Sequence, residues 1–298
     1  MRILIAGDSL ALPRPHRINS YSPDETELAV TYGETYSSLL HVDLLKDLGD
    51  QTFVEIINRS RRSQTIQGIY QEFSDHLFFY EPDFIVVQVG IVDCWFRENL
   101  NGKQLIDVTQ FEEYLQLIVK LLSLRASTRL IIVGICPTSR KMEKKYTGIN
   151  NEIVKYNKVL KNSQNNKTVF FIDMCRLINK SNISEYLLPD DHHLSKKGNQ
   201  VVAENLTIRA KAFFYADKGV HLYNEANKRG ALNYFIKSFC YFPEYVDNLY
   251  NFLSTSYELR ELEQVETILD YLTENKFLIK NELSDLINFI KTNKNYKK

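Results

Sequence analysis

The 298-residue sequence predicts an α/β protein with a parallel sheet, followed by a smaller all-helical region. Three observations carry this. Short apolar runs recur at residues 3–6, 53–57, 84–89, 130–134 and 169–172. They are continuous rather than alternating, as strands covered on both faces should be. Longer amphipathic stretches between and after them predict helices near 34–48, 64–79, 109–125, 149–163 and 195–216. Strand followed by helix, repeated, gives a parallel sheet with right-handed crossovers and helices on both sides. Function in such sheets sits at the carboxyl ends of the strands, just after each apolar run.

After Phe214 no further strand is predicted, and helical periodicity dominates. Shifting this tail on itself by 34 residues pairs Ala231 with Val265, Phe235 with Leu269 and Ser238 with Leu272. Gly219 and Pro243 fall where a tetratricopeptide repeat has its small inter-helix residue and terminal proline. The tail resembles that repeat family over about one and a half to two copies, although the second copy has neither the proline nor the glycine. It reads either as a helical hairpin capping the first domain or as an array that binds a protein partner. The expected domains are residues 1–215 and 216–298, with a polar, frayed end at 291–298.

Composition excludes several classes. Hydrophobic residues make up 44% and charged residues 25%, enough for a packed core. Lys plus Arg and Asp plus Glu are both 37, and the signs also balance on either side of residue 210. There is thus no basic body to neutralise phosphates, and no nucleic-acid partner is expected. No stretch approaches the roughly 20 apolar residues that span a bilayer. The opening MRILIAGDS is too short in its apolar run for a secretory signal. Cys94, Cys136, Cys175 and Cys240 are far apart and lack metal or disulfide spacing, which points to reduced thiols and a cytoplasmic setting.

Two motifs carry chemistry. Gly7-Asp8-Ser9-Leu10 follows the first strand, so Ser9 is presented at the rim of the sheet, where its own N–H can help hold an oxyanion. Asp190-Asp191-His192-His193-Leu194-Ser195 precedes the last helix of the first domain, with Ser195 as a plausible N-cap. A carboxylate three residues before a histidine can fix the imidazole's tautomer while the other ring nitrogen faces a serine. Taken singly, the first motif is also compatible with an ordinary turn. The second is also compatible with a metal site or a capped polar loop.

Together, and in this order, the motifs resemble the SGNH/GDSL hydrolase family over roughly residues 1–215. The resemblance implies a flavodoxin-like three-layer fold and chemistry without metal or organic cofactor. It implies Ser9 as nucleophile, His193 as base and Asp190 as acid, with Asp191 and His192 in the intervening positions. Two further blocks should complete the oxyanion hole, and both depart. Ser63 stands where the family has a glycine, and keeps the backbone N–H. Val92, in Gly90-Ile91-Val92-Asp93, stands where the family has an asparagine. Valine has no donor, and losing one such donor costs roughly 10²–10³ in rate. Arg97, Asn58 and Arg59, on the same rim, are the substitute donors or substrate-binding groups.

Arg14 is positioned to bind an anionic substrate group, or to sit solvated in a proline-rich loop. Arg61 and Arg62 join Arg59 in a basic cluster that could hold a carboxylate or phosphate, or simply form a charged loop. Cys94 lacks a partner base and reads as a buried neighbour. Trp95 and Phe96 either stack on a sugar or close the loop over the core. The function expected first is a serine esterase removing an acyl group, chiefly acetyl, from a saccharide or other small polar ester. An O-acyltransferase using the same acyl-enzyme, and an inactive binding module recruiting a partner through the tail, are the alternatives.

Overall fold

The computed structural model describes residues 1–14, 30–178, 180–275 and 282–292. Most of the polar end read as frayed, residues 293–298, lies outside the described residues. Five strands form one parallel sheet: β1 (Arg2–Gly7), β2 (Glu55–Asn58), β3 (Phe84–Gln88), β4 (Arg129–Val133) and β5 (Val169–Ile172), in the order β2-β1-β3-β4-β5. β1, β3 and β5 are buried almost throughout, which explains their unbroken apolar sequences. β2, at an edge, is half-buried.

One expectation needs correction. The apolar run at 53–57 predicts that Phe53 opens the second strand, but it is 79% exposed and lies outside it. The ladder with β1 starts where Arg2 meets Glu55; Phe53 O accepts from the Met1 amine, ahead of β1, at 2.6 Å.

Helices connect the strands. α1 (Tyr36–Leu48) lies between β1 and β2, and α2 (Ile66–Ser74), extended by a π-turn over Asp75–Phe79, between β2 and β3. The short α3 (Ile91–Cys94) and the long α4 (Val108–Leu122) lie between β3 and β4. α5 (Arg140–Lys145) and α6 (Ile149–Asn162) precede β5. Thr65 caps α2 by accepting from the Gly68 N–H, and Asp107 caps α4 by accepting from the Thr109 and Gln110 N–H groups.

Ile69 and Phe73 of α2, Phe111, Leu115 and Ile118 of α4, and Ile153, Tyr156 and Leu160 of α6 pack on Leu4, Ile85, Val87 and Ile132 in one core. The other sheet face, with Ile3, Ile5, Val86 and Ile131, is equally buried. α1 and the start of α9 (Lys196–Asn224) bury Leu40, Leu44, Val202 and Leu206, and they are joined by the Tyr36 N–H donating to Asn199 Oδ1. The sheet therefore lies between two helical layers.

After β5 come α7 (Met174–Leu177) and α8 (Ile183–Tyr186), then α9. The chain divides into two compact units, Met1–Thr207 and Ile208–Lys298, and α9 runs unbroken past the expected boundary at 215. The second unit adds α10 (Lys228–Tyr241), α11 (Val246–Glu258), α12 (Leu262–Glu274) and α13 (Glu282–Thr292). Its core holds Ala231, Phe235, Leu249, Phe252, Val265 and Ile268. Gly219 of α9 packs so closely that an added Cβ would lie 2.5 Å from the Phe235 ring.

Candidate active site

The strand order reverses direction between β1 and β3: from β1 the chain crosses to one side for β2, then to the other for β3. Such a switch point opens a crevice at the carboxyl ends of the two strands. Ser9 follows β1 and residues 90–93 follow β3, so both sequence blocks arrive at this crevice.

The turn carrying Ser9 is set by its neighbours. The Asp8 N–H donates to Gln88 O at 3.1 Å, tying the exit of β1 to β3. Asp8 Oδ1 accepts from the Leu10 N–H at 2.8 Å and caps a single 3₁₀ turn over Ser9–Ala11. Asn58 Nδ2 donates to Ala11 O at 3.0 Å and so fixes the end of the same turn. Ser9 is thus held at the rim with its hydroxyl half-buried.

The loop at 188–193 is closed by two backbone bonds, Leu188 N–H to His193 O at 2.7 Å and Asp191 N–H to Leu188 O at 2.8 Å. Asp191 adopts a left-handed conformation, φ 65°. The three-residue spacing has a clear use here. Asp190 Oδ1 accepts from the His193 backbone N–H at 3.1 Å, while Oδ2 accepts from the ring Nδ1 at 2.8 Å. One carboxylate holds both the backbone and the imidazole of the same residue. Ser195 then caps α9, its hydroxyl accepting from the Gly198 N–H.

The opposite ring nitrogen, His193 Nε2, lies 2.9 Å from Ser9 Oγ, across 184 residues of sequence. With Nδ1–H donated to Asp190, Nε2 carries the lone pair and faces the serine hydroxyl. This arrangement can take a proton from Ser9 and stabilise the resulting imidazolium. Burial alone would raise the Asp190 carboxyl. The hydrogen bond from His193 and the nearby charges of His192 and His193 outweigh it and hold the group well below the usual carboxylate range.

His192 donates Nδ1–H to Asp190 O at 2.8 Å, and its ring meets Trp95 edge-on at 5.1 Å. Burial, then the neighbouring His193, lower its pKa. Trp95 also packs against Tyr146 and the core beneath it. Among the described residues, Asp190, His192 and His193 are the one group spaced to hold a metal ion. Both Nδ1 atoms are already committed to Asp190.

On the oxyanion side, Ser63 has φ 58°, the left-handed backbone that a glycine would adopt most readily. Among the described residues, neither the Ser9 nor the Ser63 N–H donates a hydrogen bond. Val92 lies two residues after Gly90, whose φ of 126° starts α3. Asp93 is buried and accepts from the Ile66 N–H at 3.0 Å, tying α3 to the start of α2.

The expected substrate-binding residues divide. Arg14 reaches the Ser9–His193–Asp190 cluster itself. Arg97 Nη2 donates to Val92 O at 3.0 Å, and Asn58 is engaged by the Ser9 turn. The Arg59 guanidinium lies over the Tyr80 ring, and Arg61 pairs with Glu72. Cys94 is fully buried, as expected.

Sequence reasoning missed the buried acid pair Asp8 and Asp93. Burial pushes each carboxyl up to about 7, and one oxygen of each has no partner among the described residues. The signal was present: Asp8 directly follows the last residue of β1 and Asp93 lies within the short α3 just after β3, where solvent is shut out.

Residues 7–201 match the sequence profile of the GDSL-like lipase/acylhydrolase family. None of the curated proteins matches the chain. Among solved structures, a GDSL-like lipase candidate from Parabacteroides merdae superimposes with a TM-score of 0.54 at 17% identity, covering 71% of this chain and 95% of its own. A lipase/acylhydrolase from Enterococcus faecalis gives 0.50 at 17%, covering 68% and 92%. An α/β hydrolase from the metagenome of Lake Arreo gives 0.50 at 16%, covering 68% and 91%. These structures share the fold of the first unit, and the profile match spans well over half the sequence: the chain belongs to the GDSL-like lipase/acylhydrolase family.

Proposed function

We propose that the protein is a serine esterase in which Ser9, His193 and Asp190 form the catalytic triad. Its substrate is a short acyl ester, chiefly acetyl, on a saccharide or other small polar alcohol. The observation that carries this is the continuous relay from Ser9 Oγ to His193 Nε2 at 2.9 Å and from His193 Nδ1 to Asp190 Oδ2 at 2.8 Å.

In the first half-reaction the Ser9 hydroxyl gives its proton to His193 Nε2 while Oγ bonds to the ester carbonyl carbon. The carbonyl π electrons move onto oxygen, and the Ser9 and Ser63 N–H groups receive that oxyanion. Collapse breaks the bond to the leaving alcohol, which takes the proton from His193. Water then repeats the sequence on the acyl-enzyme, releasing the acid and restoring Ser9. Val92 leaves this oxyanion hole one side-chain donor short of the family's pattern. The left-handed backbone at Ser63 supports its place as the second N–H donor.

The choice of a saccharide or small polar alcohol rests on Arg97, Trp95 and Phe96 at the rim. Four free thiols support a reducing, cytoplasmic setting. The C-terminal helices read as a tetratricopeptide-like pair: Ala231 and Val265, equivalent at the 34-residue offset, are both buried in their core, and Gly219 packs on Phe235.

Hydrolysis of a short-chain aryl acetate tests the reading. Ser9→Ala should abolish turnover with an unchanged circular dichroism spectrum; unchanged turnover would remove Ser9 from the mechanism.

A further inference from the structure

The Arg14 guanidinium lies directly on the proposed triad. Nη2 pairs with Asp190 Oδ2 at 3.0 Å, and Nη1 lies 3.3 Å from His193 Nε2. Asp190 Oδ2 therefore receives both the His193 ring N–H and the arginine. His193 Nε2, once Nδ1–H is given to Asp190, has one lone pair. Two donors compete for it: the Ser9 hydroxyl at 2.9 Å and Arg14.

Only one of these contacts is productive. The Ser9 proton must pass to that lone pair, and an arginine N–H held on it blocks the transfer. The step also creates an imidazolium beside a guanidinium that never loses its own charge. The resting position of Arg14 thus opposes the chemistry in two ways, by occupying the acceptor and by like-charge repulsion.

The backbone of Arg14 is anchored while its side chain stays part-exposed. Arg14 exchanges two backbone bonds with Val30, N–H to O at 2.7 Å and O from N–H at 3.1 Å. Its side chain remains 39% exposed. Rotation about its side-chain torsions would take the guanidinium off Asp190 and His193. An oxyanion group on a substrate, planar and bidentate, is the ligand that a guanidinium engages best.

Resting on the triad reading, we infer that Arg14 is a specificity-determining residue that selects esters bearing a carboxylate or phosphate group close to the scissile bond. The substrate's anion draws the guanidinium off His193 Nε2 and neutralises it. The lone pair is then left to Ser9. A neutral ester lacks this lever and meets a base still shared with arginine.

The test compares 4-acetoxybenzoate with its neutral isostere 4-acetoxybenzamide, in wild type, Arg14→Met, Arg14→Lys and Ser9→Ala. Wild type should favour the carboxylate in kcat/KM by at least about tenfold, the value of one charge-assisted contact. Arg14→Met should lose that preference through a fall on the carboxylate and a rise on the amide. Arg14→Lys should keep part of it. Equal losses on both esters, as a structural role would give, or no preference in wild type, overturn the inference. Labelling of Ser9 by a neutral fluorophosphonate separates the two possible failures. Labelling that depends on Ser9, with no charge preference, overturns the role of Arg14 alone; no Ser9-dependent labelling overturns the triad and this inference with it. If neither ester turns over, an anionic fluorophosphonate must label wild type faster than a neutral one and lose that lead in Arg14→Met. Equal rates overturn the role of Arg14.

Discussion

Asp190 makes three contacts that no other carboxylate among the described residues combines: the His193 ring, the His193 backbone and Arg14. Replacing it with asparagine keeps the shape but removes the charge that stabilises the imidazolium, and it leaves the tautomer of His193 unfixed. Asp190→Asn should lower kcat by roughly 10³–10⁴ with little change in KM, read on an aryl acetate. The Val92 position makes the opposite prediction. Val92→Asn restores a donor type at the oxyanion side, and kcat should rise, by about tenfold or more if the amide reaches the oxyanion. An unchanged kcat would mean that the Ser9 and Ser63 N–H groups already suffice. The Ser9–His193–Asp190 contact was legible in the sequence because the three residues occur in two compact motifs. The position of Arg14 was not. It depends on how one side chain folds back across 176 residues to Asp190, as the contact shows (190 − 14 = 176). No local pattern encodes that.

At the scale of elements, the short helix α3 connects β3 to the site. Gly90 starts it with φ 126°, and an added Cβ would lie 2.5 Å from Ile135 Cδ1. Gly90→Ala combines backbone strain with a core clash and should cost about 2–4 kcal/mol in urea unfolding. Asp93, three residues on, has its carboxyl pushed up to about 7 by burial, partly offset by the Ile66 N–H. In the unfolded chain the same group titrates near 3.9. Between those values the native state keeps a proton that the unfolded state has lost. Stability from this group is therefore present at low pH and falls as pH rises through about 4 to 7. Asp93→Asn removes that loss while keeping an oxygen for Ile66. Its stability relative to wild type should be about 1–3 kcal/mol more favourable at pH 8 than at pH 5, read from denaturant midpoints. A difference independent of pH would place Asp93 in contact with solvent. Asp190 carries the opposite sign: its depressed carboxyl stabilises the fold above about pH 4, and that contribution is lost on further acidification. Element positions were well marked by the apolar runs. Phe53 misled because an apolar residue beside an edge strand looks the same in sequence as one within it.

At the scale of the whole molecule, the alternation of strand and helix was enough to predict a parallel sheet. The order β2-β1-β3-β4-β5 is a tertiary fact, and with it the meeting of the Ser9 turn and the residues 90–93 at one crevice. Local periodicity does not contain it, because each crossover is free to go to either side. The resemblance to a hydrolase family filled that gap, and the profile match over residues 7–201 agrees with it. The extent of α9 was less legible: its periodicity continues to Asn224 without a break at 215, since Gly219 sits inside the helix against Phe235. The proposed function requires above all that Ser9 and His193, 184 residues apart and in contact, act as one unit. Intact-mass measurement after exposure to a fluorophosphonate tests that claim most directly. Wild type should gain a single adduct, Ser9→Ala none, and His193→Ala none or one formed at least about 10³-fold more slowly. An adduct forming at the wild-type rate in His193→Ala, or persisting in Ser9→Ala, would contradict it.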